Sequence, residues 1–341
     1  MLRKNDAVGK FWRGLQFAWL GRYLSTPMSI LTRKLNMNCA SCAPMSEPLQ
    51  QFGGSWTEQK LQRLRDYLIA YHNALKNTPF TLYYIDAFAG TGYNTPKAAP
   101  EYQSPLFDDL VAKDTRLFLE GSARIALQIP RPFDQYVFVE QHPERCAELA
   151  KLKTDFPALA SRITPVNEEA NNYLTLLCKN CDWLKQNRRA VVFLDPFGMQ
   201  VTWTTIQTIA ETKAIDLWLL FPLGIGVNRM LPKHGQISPG WRKRLDLMFG
   251  EPDWYSAFYQ TNETPSLFGG ADEITTIKRA DYIAISNYFV KRLKTIFPHV
   301  AENPLPLLNS SNCPLYLLCF AAGNPKGGPI AKRIAEYILK P

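Results

Sequence analysis

Three strand-like apolar runs that each end in a carboxylate constrain the fold of this chain most strongly. They cover residues 82–86, 136–140 and 190–195. The carboxyl ends of parallel strands meet at one edge of a sheet, and open α/β folds bind their ligands at that edge. The sequence therefore predicts that the three carboxylates lie near one another in a ligand site.

A turn of small residues, Ala-Phe-Ala-Gly-Thr-Gly, follows the first run directly. The glycines, Gly90 and Gly92, let the backbone approach a ligand closely and tolerate positive φ. The acid before the turn, Asp86, can accept a hydrogen bond from a ligand amine or hydroxyl. Similar turns also close many ordinary α/β units, so this segment indicates a ligand site only in combination with the other two runs.

The alternation of strand-like and helix-like segments predicts the fold class. Strands are expected at 80–86, 135–140, 162–166, 190–195 and 215–221. Helices are expected from Ser55, from Ser122 as N-cap, from Pro143, and over 168–186, 203–212 and 277–297. This rhythm predicts an α/β protein with a doubly wound, mostly parallel, Rossmann-like sheet. A strand at 313–321 and a helix at 330–339 form a C-terminal α/β extension.

Three segments interrupt this pattern. Residues 1–54 form a basic leader that we predict to be disordered, and residues 55–341 form a single domain. Residues 93–119 are a long insertion of a length typical of functional or mobile loops. Residues 222–275 form a second, substrate-side insertion, predicted to contain loops and short helices.

The net charge of +9 is concentrated in the leader. Residues 1–45 hold seven bases and one acid, so they carry +6 and the other residues carry only +3. A nucleic-acid partner is therefore expected from the site and its motifs more than from the overall charge. No apolar run reaches the roughly 18 residues that a membrane span needs.

The seven cysteines include two Cys-x-x-Cys pairs, Cys39/Cys42 and Cys178/Cys181. The separation between the pairs is too long for a compact zinc ribbon. We therefore predict structural thiols and no metal site. A reduced, cytoplasmic setting fits this use of cysteine best.

The second and third strands end in candidate cofactor ligands. An acid in the position of Glu140 typically accepts hydrogen bonds from the two hydroxyls of a cofactor ribose. It follows Gly92 by 48 residues, which the insertion explains. Asn167 or Glu168 can reach an adenine amine, although a helix N-cap with acids in its first turn is an equally good interpretation.

The fourth strand ends in Asp195-Pro-Phe-Gly198, the sharpest chemical motif of the chain. Pro196 lacks an N–H and leaves nearby carbonyls for a substrate amine. Phe197 offers a flat face on which a base can stack. The motif predicts group transfer to an exocyclic amine, and the alternative is a simple strand-terminating turn.

Several of these motifs together resemble the three-Cys-motif partner protein (TcmP) family. They are the helix start Trp-Thr-Glu-Gln-Lys-Leu from Trp56, the turn after Asp86, Gly121-Ser, Phe-Val-Glu140, the run 192–199 and Gly-Asn-Pro-Lys from Gly323. The likeness covers about residues 55–341. The family resembles class I S-adenosylmethionine-dependent methyltransferases, and its name implies a partner protein that carries three cysteines.

The resemblance implies a role for each matching residue. The methionine end of S-adenosylmethionine would be held by Asp86, Ala87, Phe88, Gly90 and Gly92. Its ribose would be held by Glu140, and its adenine would lie near Asn167 or Glu168. The substrate amine would be oriented by Asp195, with Pro196 and Phe197 beside it.

The chain is also distantly similar to bacterial adenine-N6 methyltransferases of large-subunit ribosomal RNA. They share a long insertion before a Gly-Ser helix start and an acid followed by His and Pro, here Glu-Gln-His-Pro143. Their catalytic motif is Asp-Pro-Pro-Tyr, whereas this chain has Asp-Pro-Phe-Gly. The difference leaves both the stacking role of Phe197 and the amine target open.

Three functional hypotheses follow. The first is methyl transfer from S-adenosylmethionine to an amine of a nucleic-acid base, in RNA or DNA. The second is a catalytically silent module of the same fold that binds nucleic acid or a partner protein. The third is hydride transfer with a dinucleotide, which the incomplete glycine motif disfavours because it lacks the full G-x-G-x-x-G pattern.

Overall fold

The structure is a computed structural model that describes residues 55–90, 121–264 and 273–341. The predicted leader (1–54), the first insertion (93–119) and Gly92 lie outside these residues. The described residues form one large α/β unit, and no helix among them is long and apolar enough to cross a membrane.

Ten α-helices are formed by the described residues. They are α1 (Ser55–Leu75), α2 (Ser122–Leu127), α3 (Pro143–Ala150), α4 (Leu152–Asp155), α5 (Ala170–Asn180), α6 (Trp203–Glu211), α7 (Pro239–Phe249), α8 (Trp254–Phe258), α9 (Tyr282–Lys294) and α10 (Gly328–Ile338). A π-helix (Leu223–Val227) and two 3₁₀ segments (Pro157–Arg162 and Asn228–Met230) connect some of them.

The strands form a central sheet and a separate hairpin. They are β1 (Thr81–Asp86), β2 (Gln135–Val139), β3 (Ile163–Val166), β4 (Arg188–Leu194), β5 (Ile215–Phe221), β6 (Tyr259–Thr264), β7 (Glu273–Lys278), β8 (His299–Val300), β9 (Leu305–Leu308) and β10 (Pro314–Ala322). The central sheet has the order β3-β2-β1-β4-β5-β10-β8, with β9 also paired to β10.

The sheet is mostly parallel, as the sequence predicts. Strands β1 to β5 are all parallel to one another, while β10 runs antiparallel to β5. Each long strand is buried on both faces, which is why the sequence shows continuous apolar runs and little alternation. The predicted doubly wound, Rossmann-like α/β class is confirmed.

Two hydrophobic cores cover the two faces of the sheet. Ile85 and Val192 belong to the core that α5, α6 and α9 complete, whereas Tyr84 and Phe193 belong to the core beneath α1, α2 and α10. Successive strand residues point to opposite faces, so the two cores alternate along each strand. The face beneath α1 is the one that carries the site.

The first helix buries the stripe that its sequence predicts. Leu64, Leu68 and Tyr71 are all buried on α1, at spacings of four and three residues. This face packs against α2 and α10. The stripe fixes the rotation of α1 about its axis and therefore decides which polar side chain it turns towards the sheet.

Several predicted boundaries differ from the structure. The helix expected over 168–186 ends at Asn180, and the helix expected over 277–297 begins only at Tyr282. The residues before it form β7, which pairs with β6 in a hairpin that the sequence analysis did not predict. The second insertion also contains α7, whose eleven residues begin behind Ser238 as N-cap.

The predicted N-cap role of Ser122 is wrong. Helix α2 already includes Ser122, and the residue before it, Gly121, makes no side-chain cap. The Ser122 side chain lies close enough to the Asp86 carboxyl to lower the pKa of that group. A serine at a helix start can serve a partner elsewhere in the fold, because its hydroxyl is short and not committed to the local backbone.

Candidate functional site

The candidate site lies where the strand order of the sheet reverses. Strands β1 and β4 are adjacent, but the chain continues from β1 to one side of the sheet and from β4 to the other. The carboxyl ends of strands at such a switch point border the crevice in which α/β folds bind ligands. Asp86 ends β1, and Asp195 directly follows β4.

An ion pair with Lys60 of α1 holds the Asp195 carboxylate. The distance from Lys60 Nζ to Asp195 Oδ2 is 2.6 Å. The Lys60 side chain has no exposed surface, and the Asp195 side chain is 8% exposed. The structure describes no hydrogen bond to the second oxygen, Oδ1, which leaves it able to accept one from a substrate.

Burial and charge oppose each other in this pair. Loss of hydration lowers the pKa of Lys60 to about 8, although the negative charges of Asp195 and Asp86 raise it. Burial also raises the pKa of Asp195, against the effect of the Lys60 cation. Each partner therefore keeps the other charged in a place where either alone would tend to become neutral.

Asp86 is a buried carboxyl with one unsatisfied oxygen. Its side chain has 0% exposed surface, and among the described residues Oδ2 has no hydrogen-bond partner. Burial raises the pKa of Asp86 to about 7, while the Ser122 side chain lowers it and the charge of Asp195 raises it. A buried acceptor left unpaired is costly, so Oδ2 is well suited to receive a ligand N–H or O–H.

Close packing of two helices places Ser122 beside Asp86. A Cβ added at Gly121 would collide with Leu61 Cδ1 of α1. A larger residue at this position would require the Leu61 side chain to move, so glycine suits the close approach of α2 to α1. The Gly121-Ser122 motif thus lets the two helices approach closely at the glycine and places the serine beside the Asp86 carboxyl.

The turn after Asp86 is tied to both neighbouring strands. The backbone N–H of Ala87 donates to Phe193 O of β4 over 3.2 Å, and that of Ala89 donates to Val139 O of β2 over 3.1 Å. Ala87 and Gly90 are buried, and Phe88 packs partly against the core. The predicted cofactor turn is therefore held at the switch point, while Gly92 lies beyond the described residues.

Glu140 emerges at the end of β2 and keeps one oxygen unused. It is 8% exposed, and its Oε1 accepts a hydrogen bond from the backbone N–H of His142 over 2.9 Å. No hydrogen bond to Oε2 is described. The first bond orients the carboxylate, and the second oxygen is left for a hydroxyl ligand.

Asn167 has a structural role that the sequence did not predict. Its side-chain amide donates to the backbone carbonyls of Glu140 and Gln141, each over 2.9 Å. It ties the end of β3 to the loop after β2 and thereby supports the position of Glu140. Both donors are used in these bonds, and the side-chain oxygen Oδ1 is the atom that could accept a hydrogen bond from an adenine amine.

Glu168 borders a cleft beside the helix that follows β3. This cleft, of about 600 Å³, lies between the amino-terminal ends of α5 and α6, and Asn172, Thr202 and Thr204 also line it. The N-cap of α5 is Glu169, which accepts hydrogen bonds from the backbone N–H groups of the next two residues. The acid that caps the helix and the acid available to a ligand are thus different residues.

The Asp195-Pro-Phe-Gly loop presents an aromatic ring to solvent. Phe197 is 52% exposed, whereas Pro196 is buried. The backbone N–H of Phe197 donates to Gln200 Oε1 over 2.8 Å. Gly198 has a φ of +79°, a conformation that favours glycine. The tight turn holds Phe197 outward, next to the site.

A single asparagine of α5 fixes the far end of this loop. Asn171 accepts from the backbone N–H of Thr202 over 3.0 Å and from Thr205 Oγ1 over 2.8 Å. It also donates to Gln200 O over 2.9 Å. These bonds attach the loop between β4 and α6 to the neighbouring helix.

Aromatic rings enclose the Lys60–Asp195 pair. Trp56 stacks on Tyr316 of β10 with ring centroids 5.4 Å apart. The Lys60 ammonium lies 5.5 Å from the ring centre of Phe193 and 6.0 Å from that of Trp56. The rings exclude water from the pair and create a low dielectric, which strengthens its charge interactions.

The sequence motifs give no role in this site to three of its residues, Lys60, Ser122 and Asn171. The only sequence signal for Lys60 is its place in the Trp-Thr-Glu-Gln-Lys-Leu motif, in the first turns of an amphipathic helix. Ser122 was noted only as a helix start. Nothing in the local pattern marks Asn171, because its partners lie about 30 residues further along the chain.

The described cysteines are free thiols. Cys178 is buried in the core and Cys181 is half-buried at the end of α5. Cys39 and Cys42 lie outside the described residues. Among the residues that are described, no group of three or more His, Cys, Asp or Glu side chains is arranged to hold a metal ion.

Comparison with known proteins adds little to this picture. No protein-family model matches the sequence, and no curated protein is similar to it. The resemblance to three-Cys-motif partner proteins therefore stays a prediction.

Solved structures show weak likenesses. One is the Legionella pneumophila protein LPL1258 of family DUF519, at 14% identity, covering 71% of this chain and 93% of that one, with a TM-score of 0.33. Another is the candidate methyltransferase yhhF of Escherichia coli, which is 13% identical and has a TM-score of 0.25. The match covers 68% of this chain and 90% of that one. A third is the CcbJ methyltransferase of Streptomyces caelestis, which is 11% identical and has a TM-score of 0.26. That match covers 81% of this chain and 83% of the other. With TM-scores below 0.5, the fold assignment rests on the strand order of this chain.

Proposed function

We propose that this chain is an S-adenosylmethionine-dependent methyltransferase that acts on an amine, and that the amine belongs to a nucleic-acid base. The observation that carries the proposal is the convergence of Asp86 and Asp195 at the switch point of the sheet, with Glu140 on the adjoining strand. Asp86 and Asp195 differ in their partners. Asp195 is paired with a cation, whereas one oxygen of Asp86 has no hydrogen-bond partner among the described residues.

The free acceptors match the polar groups of S-adenosylmethionine. Asp86 Oδ2 is available to the ammonium group of the methionine end, and Glu140 Oε2 to a ribose hydroxyl. When bound, the cofactor supplies an electrophilic methyl group carried on a sulfonium. The residues of the turn after Asp86 leave room for backbone contact with it.

Asp195 orients the acceptor amine in this proposal. Its Oδ1 accepts a hydrogen bond from the amine N–H and so directs the nitrogen lone pair. Lys60 keeps the carboxylate ionised against the effect of burial, which would otherwise favour the neutral acid. Phe197 provides an exposed face for a planar substrate.

A nucleotide base is the substrate class that best suits an exposed aromatic beside a recessed carboxylate. Enzymes that modify bases act on single strands or on nucleotides flipped out of the stack, because duplex bases are out of reach. We include a cytoplasmic setting in the proposal, supported by the free thiols of the described cysteines.

S-adenosylmethionine is favoured over a dinucleotide by two features. The turn lacks the third glycine of the dinucleotide fingerprint. The sixth position of the sheet holds the antiparallel β10, whereas a dinucleotide-binding sheet commonly continues with a sixth strand in sequence order.

A silent binding module is the second candidate. The observation in its favour is the 2.6 Å ion pair itself, which engages one oxygen of Asp195. If the pair serves only to hold α1 on the sheet, the same fold would bind nucleic acid or a partner protein, such as one with a three-cysteine motif, without turnover.

Two measurements distinguish these candidates. Calorimetry with S-adenosylmethionine and with NAD identifies the cofactor. A radiolabelled methyl-transfer screen over RNA, DNA and a protein extract then tests turnover. Binding of S-adenosylmethionine with transfer to nucleic acid is the expected result. Nucleic-acid binding without cofactor binding would instead establish the silent module.

A further inference from the structure

A long segment beside the site is basic and contains no acid. Between Asp216 and Asp246 the chain carries five Lys or Arg residues and no Asp or Glu. The five are Arg229, Lys233, Arg242, Lys243 and Arg244, and all are exposed. We call them the basic face. Residues 46–341 together carry only +3, so this run of five cations without an acid is a local concentration of charge.

The fold places the basic face at the same edge of the sheet as the site. The segment begins directly after β5, which is parallel to β4 and therefore ends at the edge where Asp195 lies. A Cβ added at Gly226, in the π-helix, would lie 2.9 Å from Met199 Sδ. The loop after Asp195 and the start of the basic segment are thus close together.

The hairpin of β6 and β7 holds the segment in place. The backbone N–H of Lys278 donates to Lys233 O over 2.9 Å, and its ammonium donates to Asn228 Oδ1 over 2.6 Å. The hydroxyl of Tyr259 donates to Pro232 O over 2.9 Å, and that of Tyr255 donates to Gly235 O over 3.0 Å. The cations are therefore carried by backbone that tertiary contacts fix.

Stability of the helix does not explain the cations of α7. Arg242, Lys243 and Arg244 follow one another in the first two turns of a helix that begins at Pro239. The amino-terminal end of a helix carries a partial positive charge and favours acids, so three cations there are electrostatically unfavourable. The arrangement is instead typical of a surface that receives an anion.

Neighbouring groups further prepare this surface. The guanidinium of Arg242 lies 4.8 Å from the ring centre of Tyr255 and 5.7 Å from that of Trp254, which restrains its conformation.

The structure assigns the basic face as the docking surface for the phosphates of a single-stranded nucleic acid, whose exposed base enters the site at Asp195. This inference rests on the proposed function and adds the surface that holds the substrate. Consecutive phosphates match a row of cations on a fixed backbone. A single strand is specified because Phe197, the exposed stacking face, requires a base that is free of its pairing partner.

The test measures binding of a labelled 20-nucleotide single-stranded RNA by fluorescence anisotropy over a series of salt concentrations. The triple variant Arg242→Gln/Lys243→Gln/Arg244→Gln removes three cations. The control Arg131→Gln/Lys153→Gln/Lys179→Gln removes three exposed cations that precede β2, β3 and β4, at the opposite edge of the sheet. Both variants change the net charge equally.

We expect the triple variant to bind the RNA on the order of tenfold more weakly, with a salt slope reduced by about 2, since each cation contributes about 0.7 for a single strand. The control is expected to change affinity by less than about twofold, because charges beyond a Debye length of about 8–10 Å are screened. Affinity for S-adenosylmethionine should be unchanged in both.

A second variant protects the test against misfolding. Lys233→Gln/Lys243→Gln leaves the stacked Arg242 in place and should reduce the salt slope by about 1.4, because it removes two cations. One contrary outcome is that both variants bind RNA as tightly as the control does while methyl transfer persists. In that case the assignment of the basic face as the docking surface is wrong, and the proposed function stands. Equal or tighter binding of a matched duplex would overturn the single-strand assignment. A loss of binding to anionic vesicles but not to RNA would make the face a membrane contact.

Discussion

Lys60 Nζ on α1 lies 2.6 Å from Asp195 Oδ2, which follows β4 and is 135 residues later in the chain. The pair joins the first described helix to the centre of the sheet at the switch point. It makes the candidate catalytic carboxylate dependent on an element that precedes the sheet, so substitutions on α1 should affect chemistry as well as stability.

Replacing Lys60 by methionine should destabilise the protein by about 3–5 kcal/mol, because it leaves the Asp195 carboxylate buried without its counter-ion. Denaturant unfolding measures this change. The double variant Lys60→Met/Asp195→Leu should recover most of the loss. Lys185→Met, which breaks the exposed pair with Asp182, is the control and should change little. Strictly additive losses in the double variant would show that the two side chains do not interact.

Asp195→Asn should reduce methyl transfer by about 100-fold or more, since an amide cannot accept the amine hydrogen with the strength of a carboxylate. Affinity for S-adenosylmethionine should stay within about threefold, as expected for an interaction made mainly in the transition state. Single-turnover kinetics and calorimetry on the same protein measure both. The surface variant Asp182→Asn is the control, and full activity in Asp195→Asn would exclude an orienting role.

Glu140→Gln should weaken cofactor binding by about tenfold or more, because charge-assisted hydrogen bonds are worth about 1.5–3 kcal/mol each. Glutamine keeps the size of the side chain and an oxygen for the His142 N–H. Calorimetry measures the effect. Glu148→Gln, on the surface of the following helix, is the matched control. An unchanged affinity in Glu140→Gln would remove this residue from the cofactor site.

Stability should decrease as pH rises from about 4 to about 7. The pKa of Asp86 is raised by burial from 3.8 to about 7, so across this range the folded protein holds a proton that the unfolded chain has lost. Asp86→Asn should reduce the slope of the unfolding free energy against pH by up to about 1.4 kcal/mol per pH unit. Unfolding curves at several pH values test this, and an equally steep curve in the variant would contradict it.

Asp216→Asn distinguishes the effect of a buried carboxyl on the pH dependence of stability from an effect on cofactor binding. Burial also raises the pKa of Asp216 to about 7, but this residue lies at the start of β5, where Tyr67 donates a hydrogen bond to it. Its replacement should flatten the pH dependence in the same direction while leaving cofactor affinity unchanged. Asp86→Asn should do both, flattening the curve and weakening cofactor binding.

Asn171→Ala should destabilise the protein by about 1–3 kcal/mol, because the Thr202 N–H and the Thr205 hydroxyl lose their acceptor. Activity should fall as well, since the loop after Asp195 loses its attachment to α5. Thermal unfolding and single-turnover rates measure the two effects. Asn172→Ala, at the exposed neighbouring position, should be close to wild type. Equal effects in the two variants would show that the loop does not depend on Asn171.

The sheet was predictable from local signals. The run from Ile215 to Phe221 is apolar almost throughout because β5 is buried on both faces, and its predicted and observed bounds agree. The hairpin of β6 and β7 was not predictable in the same way. Its residues are polar, such as Gln260, Asn262 and Thr275, because one strand pairs only with the other and little of it is buried.

The acids of the site were also predictable, but their environments were not. A carboxylate at the end of a buried strand is visible in sequence at Asp86, Glu140 and Asp195. Their differences depend on partners that are distant in the chain: Ser122 at Asp86, the His142 backbone at Glu140, and Lys60 at Asp195. Periodicity places residues on a face of their own element and contains no information about which element lies opposite.

By itself, the amino-acid sequence determined the order of strands and helices, the apolar faces of each, and the strand ends at which acids occur. These features follow from side-chain period and backbone preference, which act over a few residues. Only the tertiary structure decided that Lys60 neutralises Asp195, that Asp86 keeps one oxygen unpaired, and that the basic face lies beside both. Desolvation and charge pairing produce these outcomes, and both depend on what surrounds a group in three dimensions.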